Sequence, residues 1–69
     1  MPLRALREAA GKTQAKISHA LGKDPAEISR LERRTNIKTD TLRSYAKAVG
    51  ATCEIAFVSK RGHRIVIKL

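Results

Sequence analysis

Residues Thr13 to Arg33 read TQAKISHALGKDPAEISRLER, and the rest of the chain is organised around them. In the first half, Ala15, Ile17, Ser18 and Leu21 put small or apolar side chains on one side of a short helix, leaving Lys16, His19 and Ala20 to face out. Gly22 follows Leu21 at once, where a helix that stops and turns needs a residue at ease in a left-handed backbone. The second half restarts immediately. Asp24 is an expected N-cap, Pro25 falls at the first helical position, and Glu27 completes a D-x-x-E capping box. Ile28 and Leu31 supply an inner face, and Ser29, Arg30, Arg33 and Arg34 are left for the outside.

A short helix, a glycine corner and a capped helix with a basic outer face predict a helix-turn-helix. The string LGKDPAEISRLERR resembles the Cro and bacteriophage-repressor type of this motif, the XRE family. The matching residues are the Thr13-Gln14 opening, the Leu21-Gly22 corner, and Ile28, Leu31 and Glu32. With Leu3 to Gly11 before it and Thr39 to Gly50 after it, the resemblance covers roughly three quarters of the chain.

Working towards the N-terminus, Leu3, Leu6, Arg7 and Ala10 recur at helical spacing and Gly11 offers a stop. The resemblance implies that Arg7 forms an ion pair with Glu32, the reading favoured here; taken alone, Arg7 reads as a solvated surface arginine. Lys12, Thr13 and Gln14 open the next helix, with Thr13 as N-cap and free N–H groups suited to a DNA phosphate. By resemblance Gln14 clamps phosphate and braces the reading helix, whereas by itself it is a capping residue with a solvated amide. His19 reads as a surface residue.

The resemblance places Pro25, Ala26 and Arg30 at base edges, with Lys23, Asp24 and Ser29 nearby. Repressors of this type often carry glutamines at the first two of these positions. Pro25 and Ala26 can only pack against a thymine methyl, so Arg30 becomes the expected direct reader, through guanine O6 and N7. Lys23, Arg33 and Arg34 are expected on phosphates.

Towards the C-terminus, Thr35 to Lys38 form a polar loop and Thr39 or Asp40 is the expected cap of a fourth helix. Leu42, Tyr45, Ala46 and Val49 recur at i, i+3, i+4 and i+7 before Gly50. The N-terminus of this helix, with Thr39, Thr41 and Arg43, is a second candidate phosphate site. From Ala51 the period changes to two. Cys53, Ile55 and Phe57 alternate with Thr52, Glu54, Ala56 and Val58, and after Ser59-Lys60-Arg61-Gly62 the alternation resumes from Arg64 to Leu69. This predicts a β-hairpin. Two strands alone are marginal in water, so the helical part is expected to cover Ile65 and Ile67, and Tyr45 and Phe57 are read as packing residues. The exposed edge of the last strand, with Ile65, Ile67 and Leu69, is the expected dimer strand. A two-fold dimer would set two reading helices about one DNA turn, ~34 Å, apart on a palindromic operator.

The expected architecture is therefore mainly α: four short helices forming a DNA-binding unit over 1–50, then a dimerising hairpin over 51–69. A helix-turn-helix followed by TLRSYAKAVGA and a terminal hairpin also resembles the HigA-like antitoxins of bacterial toxin–antitoxin operons. That resemblance implies a small RelE- or HigB-like ribonuclease toxin as partner and repression of the protein's own operon. It also implies further N-terminal residues where this chain has Met1 and Pro2. A stand-alone phage-type regulator without a toxin is the alternative.

Composition agrees with a nucleic-acid partner. Fifteen Lys and Arg against six Asp and Glu give 69 residues a net charge of +9, and the isoelectric point is about 10.7. Such an excess exceeds what solubility asks of a small domain and points to phosphate. One cysteine, two separated histidines and no paired carboxylates give no nucleophile–base set and no metal-ligand spacing, so no enzyme, cofactor or metal is expected. No apolar run reaches the ~20 residues of a membrane span and no signal sequence opens the chain, so a cytoplasmic, reducing location is expected. Cys53 reads as a small apolar strand residue.

Overall fold

A computed structural model of the protein describes residues 3–69, as four helices followed by two strands. Helix α1 spans Leu3–Ala9, α2 Gln14–Leu21, α3 Pro25–Arg33 and α4 Thr39–Ala48; strand β1 spans Glu54–Val58 and β2 Arg64–Lys68. Leu3, Ile17, Ile28, Leu31, Tyr45 and Val49 form one buried cluster, so every helix contributes to a single core. Ile17, Ile28 and Tyr45 are completely buried, each such side chain stabilising the fold by about 1.5–3 kcal/mol relative to exposure.

The corner between α2 and α3 is built by local chemistry. Gly22 takes the left-handed conformation, φ +63°, and its N–H and that of Lys23 satisfy the last carbonyls of α2, at His19 and Ser18. The Ser18 hydroxyl also donates to the Lys23 carbonyl, tying α2 to the first residue past the corner. Asp24 then accepts from the Ala26 N–H at 2.9 Å, with Pro25 at the first helical position. The expected capping box closes on one side only: the Glu27 carboxylate lies 4.0 Å from Lys23 Nζ, one turn back.

Several sequence expectations need correction. The inner stripe of α2 is Gln14, Ile17, Ser18 and Leu21, a true i, i+3, i+4, i+7 set; Ala15 lies about 100° off it and is exposed. Leu6 and Ala10 are exposed, because α1 ends at Ala9 and turns only Leu3 and Arg7 inward. Neither Thr39 nor Asp40 caps α4. Lys38 occupies the N-cap without a side-chain bond, and the Asp40 carboxylate accepts instead from the Thr41 N–H at 2.8 Å.

The hairpin departs most from expectation. Its strands pair antiparallel with Ile55 opposite Ile67, Ala56 opposite Val66 and Phe57 opposite Ile65. Gly62, φ +83°, closes the turn, with its N–H on the Ser59 carbonyl at 2.9 Å. The helices do not cover it. Phe57 is 59% exposed, Ile65 65% and Ile67 46%, so neither Phe57 nor the isoleucines pack on the core. Cys53 lies just before β1, where its carbonyl accepts from the Leu69 N–H at 2.9 Å. The molecule is accordingly elongated, 42 × 21 × 19 Å.

Candidate nucleic-acid interface

One carboxylate sets the geometry of the helical unit. Glu32, buried on the inner side of α3, accepts four hydrogen bonds. Its Oε2 receives Arg7 Nε at 2.6 Å and the Tyr45 hydroxyl at 2.7 Å. Its Oε1 receives Gln14 Nε2 at 3.0 Å and Arg7 Nη2 at 3.2 Å. Arg7 belongs to α1, Gln14 to α2 and Tyr45 to α4, so a single side chain of α3 is bonded to each of the other three helices. The remaining Arg7 Nη1 donates to the Lys12 carbonyl at 2.9 Å. Among the described residues no buried side-chain nitrogen or oxygen lacks a partner.

Electrostatics follow from this arrangement. Burial pushes the Glu32 carboxyl upward, but hydrogen bonds from Arg7, Tyr45 and Gln14 outweigh it and hold the group below the usual carboxylate range. The hydrogen bond to Glu32 overcomes burial to strengthen the Arg7 base, and burial followed by the bond to Glu32 raises the Tyr45 phenol far above its ordinary value. All three groups therefore keep one protonation state across the neutral range.

With its inner face fixed, α3 must present the opposite one to solvent. Ala26, Arg30 and Arg33 are spaced i, i+4 and i+7 and fall on one exposed stripe, with Ser29 half-buried at its margin and Pro25 exposed at the start of the helix. Arg30, Arg34, Lys23, Glu27 and Thr41 line a shallow groove between α3 and the start of α4, together with Leu31. Arg33 lies outside that groove. The two arginines of α3 thus face different surroundings although both are exposed.

The helix N-termini are not equivalent as anion sites. At α2 the neutral Thr13 hydroxyl accepts from the Lys16 N–H at 3.1 Å, the first turn holds no acidic residue, and Lys12 and Lys16 are close by in sequence. At α4, Asp40 already sits on the first-turn N–H of Thr41, so the site expected from Thr39, Thr41 and Arg43 carries its own anion. Gln14 uses one amide proton on Glu32 and remains half-exposed at the first turn of α2.

Sequence reasoning missed Tyr45 as a polar residue. Its helical periodicity marked it for the core, and only the fold shows its hydroxyl on Glu32 and within 3.1 Å of the Leu3 carbonyl. The Ser18 contact to Lys23 carried no sequence signal either. Among the described residues no group of His, Cys, Asp and Glu is arranged to hold a metal, and no helix is long and apolar enough to cross a membrane.

Comparison with known proteins agrees with this geometry. A family model described as helix-turn-helix matches residues 3–55, all four helices and the first residues of β1. No curated protein and no solved structure matches significantly. The four-helix unit, the exposed basic face of α3 and the extent of that match together place this chain in the XRE/Cro-type helix-turn-helix family of DNA-binding transcription regulators.

Proposed function

We propose that the protein is a sequence-specific transcriptional repressor acting as a homodimer on a palindromic operator, with 1–50 as the DNA-binding unit and 51–69 as the dimerisation element. The observation that carries this reading is the four-bonded Glu32. It locks α3 against every other helix and so holds the Ala26, Arg30 and Arg33 stripe as a rigid surface. Arg30 reads a guanine, Pro25 and Ala26 allow close approach to a base pair, and Ser29 lies at the edge of the groove. Lys12, Thr13, Gln14, Lys23, Arg33 and Arg34 hold phosphates on either side, with Thr39, Thr41 and Arg43 as a weaker contact because of Asp40.

The finer reading is an antitoxin that represses its own operon and neutralises a small ribonuclease toxin. What supports it is the order of elements, a helix-turn-helix followed by a hairpin whose apolar side chains are left for a protein partner.

A mobility shift on the DNA upstream of the protein's own gene, at two salt concentrations and with scrambled competitor, tests the repressor. A dimer making about six to ten phosphate contacts loses roughly three to five decades of affinity between 50 and 200 mM salt, yet keeps its preference for one palindrome. Binding that ignores sequence at both salt concentrations would defeat the proposal. Co-purification with the product of an adjacent small reading frame tests the antitoxin role, and its failure leaves a stand-alone regulator.

A further inference from the structure

We infer that a second copy of this chain docks on the outer edge of β1, not that of β2, in an antiparallel pairing centred on Ala56. The inference deepens the dimer proposed above and rests on it.

Both strands of the hairpin are edge strands, since the sheet holds only these two among the described residues. The bonds Leu69 N–H to Cys53 O and Ser59 N–H to His63 O bracket the ladder. Antiparallel alternation then directs the backbone groups of Ile55 and Phe57 towards β2 and those of Glu54, Ala56 and Val58 outward. On β2 the outward groups belong to Arg64, Val66 and Lys68. Either edge can meet its own copy about a two-fold axis, through Ala56 on β1 or Val66 on β2.

Charge decides between them. About Val66, Arg64 of one copy lies directly opposite Lys68 of the other, and symmetry repeats the clash. Like charges facing each other in a ladder are destabilising, and basic residues on an edge strand are a common means of preventing such pairing. About Ala56, Glu54 lies opposite Val58 and no like charges meet. Two chains of charge +9 approach best where their contact adds no further repulsion.

The β1 register also extends the apolar rows. Ile67, Ile55, Phe57 of the second copy and Ile65 of the second copy run unbroken across one face of a four-stranded sheet, and the symmetric row repeats this. The aromatic and β-branched pairing of Phe57 with Ile55 is among the favourable cross-strand contacts. Surface area points the same way. The chain exposes 5316 Å², whereas a compact protein of its mass exposes about 4,300 Å². The excess resembles the roughly 800 Å² that one partner contributes to a stable interface.

Sedimentation of the whole chain over a concentration series, with Ala56→Lys, Ala56→Glu and Val66→Lys, tests the inference. Ala56 is exposed and bonds outward, so neither substitution at that position disturbs the hairpin itself. In the β1 register each places a charge against its own copy and weakens association by about fivefold. Mixing the two opposes Lys to Glu and restores the dimer, while Val66→Lys associates as the parent does. Loss of the dimer in Val66→Lys with no effect at position 56 would assign the β2 edge and overturn the inference. Unchanged association in all three variants would exclude both edges. A parent chain that stays monomeric throughout would remove the dimer itself.

Discussion

Replacing Glu32 by alanine removes the acceptor shared by all four helices, and its cost can be apportioned from the geometry. The Tyr45 hydroxyl has an alternative acceptor in the Leu3 carbonyl at 3.1 Å, and the half-exposed Gln14 amide can turn to water. Arg7 has no such escape. Its side chain is 9% exposed and retains only the Lys12 carbonyl at 2.9 Å, so its charge stays buried and unneutralised. Breaking a buried pair from one side costs about 3–5 kcal/mol. A 69-residue domain has roughly 3–10 kcal/mol in total. Glu32→Ala should therefore be largely unfolded or barely stable at 25 °C in a urea titration followed by far-ultraviolet ellipticity. Removing both charges in Arg7→Met with Glu32→Leu should recover at least about 2 kcal/mol of that loss, because no charge is then stranded. A single substitution costing less than about 1 kcal/mol, or a double variant weaker than the single, would refute the argument that desolvated charge governs this site.

Other expectations follow from the same geometry. Glu32 is held below its unfolded value of about 4.3, so its contribution is complete at pH values above that and declines as pH falls towards the lower, folded value. Tyr45 is raised, so its contribution is complete below about pH 10 and declines as pH rises further, because the unfolded chain releases the proton first. Thermal melts across pH should show both losses, and Glu32→Gln should abolish the acid one while reducing the alkaline one, since burial alone then raises Tyr45. Gly22→Ala should cost about 1–2 kcal/mol by urea titration, the penalty of a left-handed backbone alone, since a Cβ there would meet no atom within 4 Å. A cost below a few tenths would mean that the corner relaxes. Arg30→Ala should relax base preference at one operator position by about 1–3 kcal/mol, whereas Arg33→Ala should weaken all sequences equally and lower the salt slope by about one. Equal, uniform losses from both in a binding-site panel would argue against that division.

Local signals in the chain were sufficient for the helical unit. The corner at Gly22, the Asp24-Pro25 start and the i, i+3, i+4, i+7 stripe of α4 each concern residues within two turns of one another, where backbone preference and periodicity act. Those rules also carried the alternation of the two strands on either side of the Ser59 to Gly62 link, whereas their register came from the structure. They erred where one turn offered two candidates, as with Ala15 against Gln14 on the inner face of α2 and Thr39 or Asp40 against Lys38 as the cap of α4. The pairing of Arg7 with Glu32 was legible only through family resemblance, because 25 residues separate them and no spacing rule spans that distance.

What the sequence by itself determined, then, is the order and type of the elements and the basic outer face of α3. The tertiary structure alone decided that Tyr45 is a polar partner as well as a core residue, and that one carboxylate joins four helices. It also decided that the hairpin stands away from the core. The helices already bury Leu3, Ile17, Ile28, Leu31, Tyr45 and Val49 among themselves, and Phe57, Ile65 and Ile67 have no part in that cluster. Whether an apolar strand is buried depends on what remains unoccupied once the other elements have packed, and the strand's own residues carry no record of that.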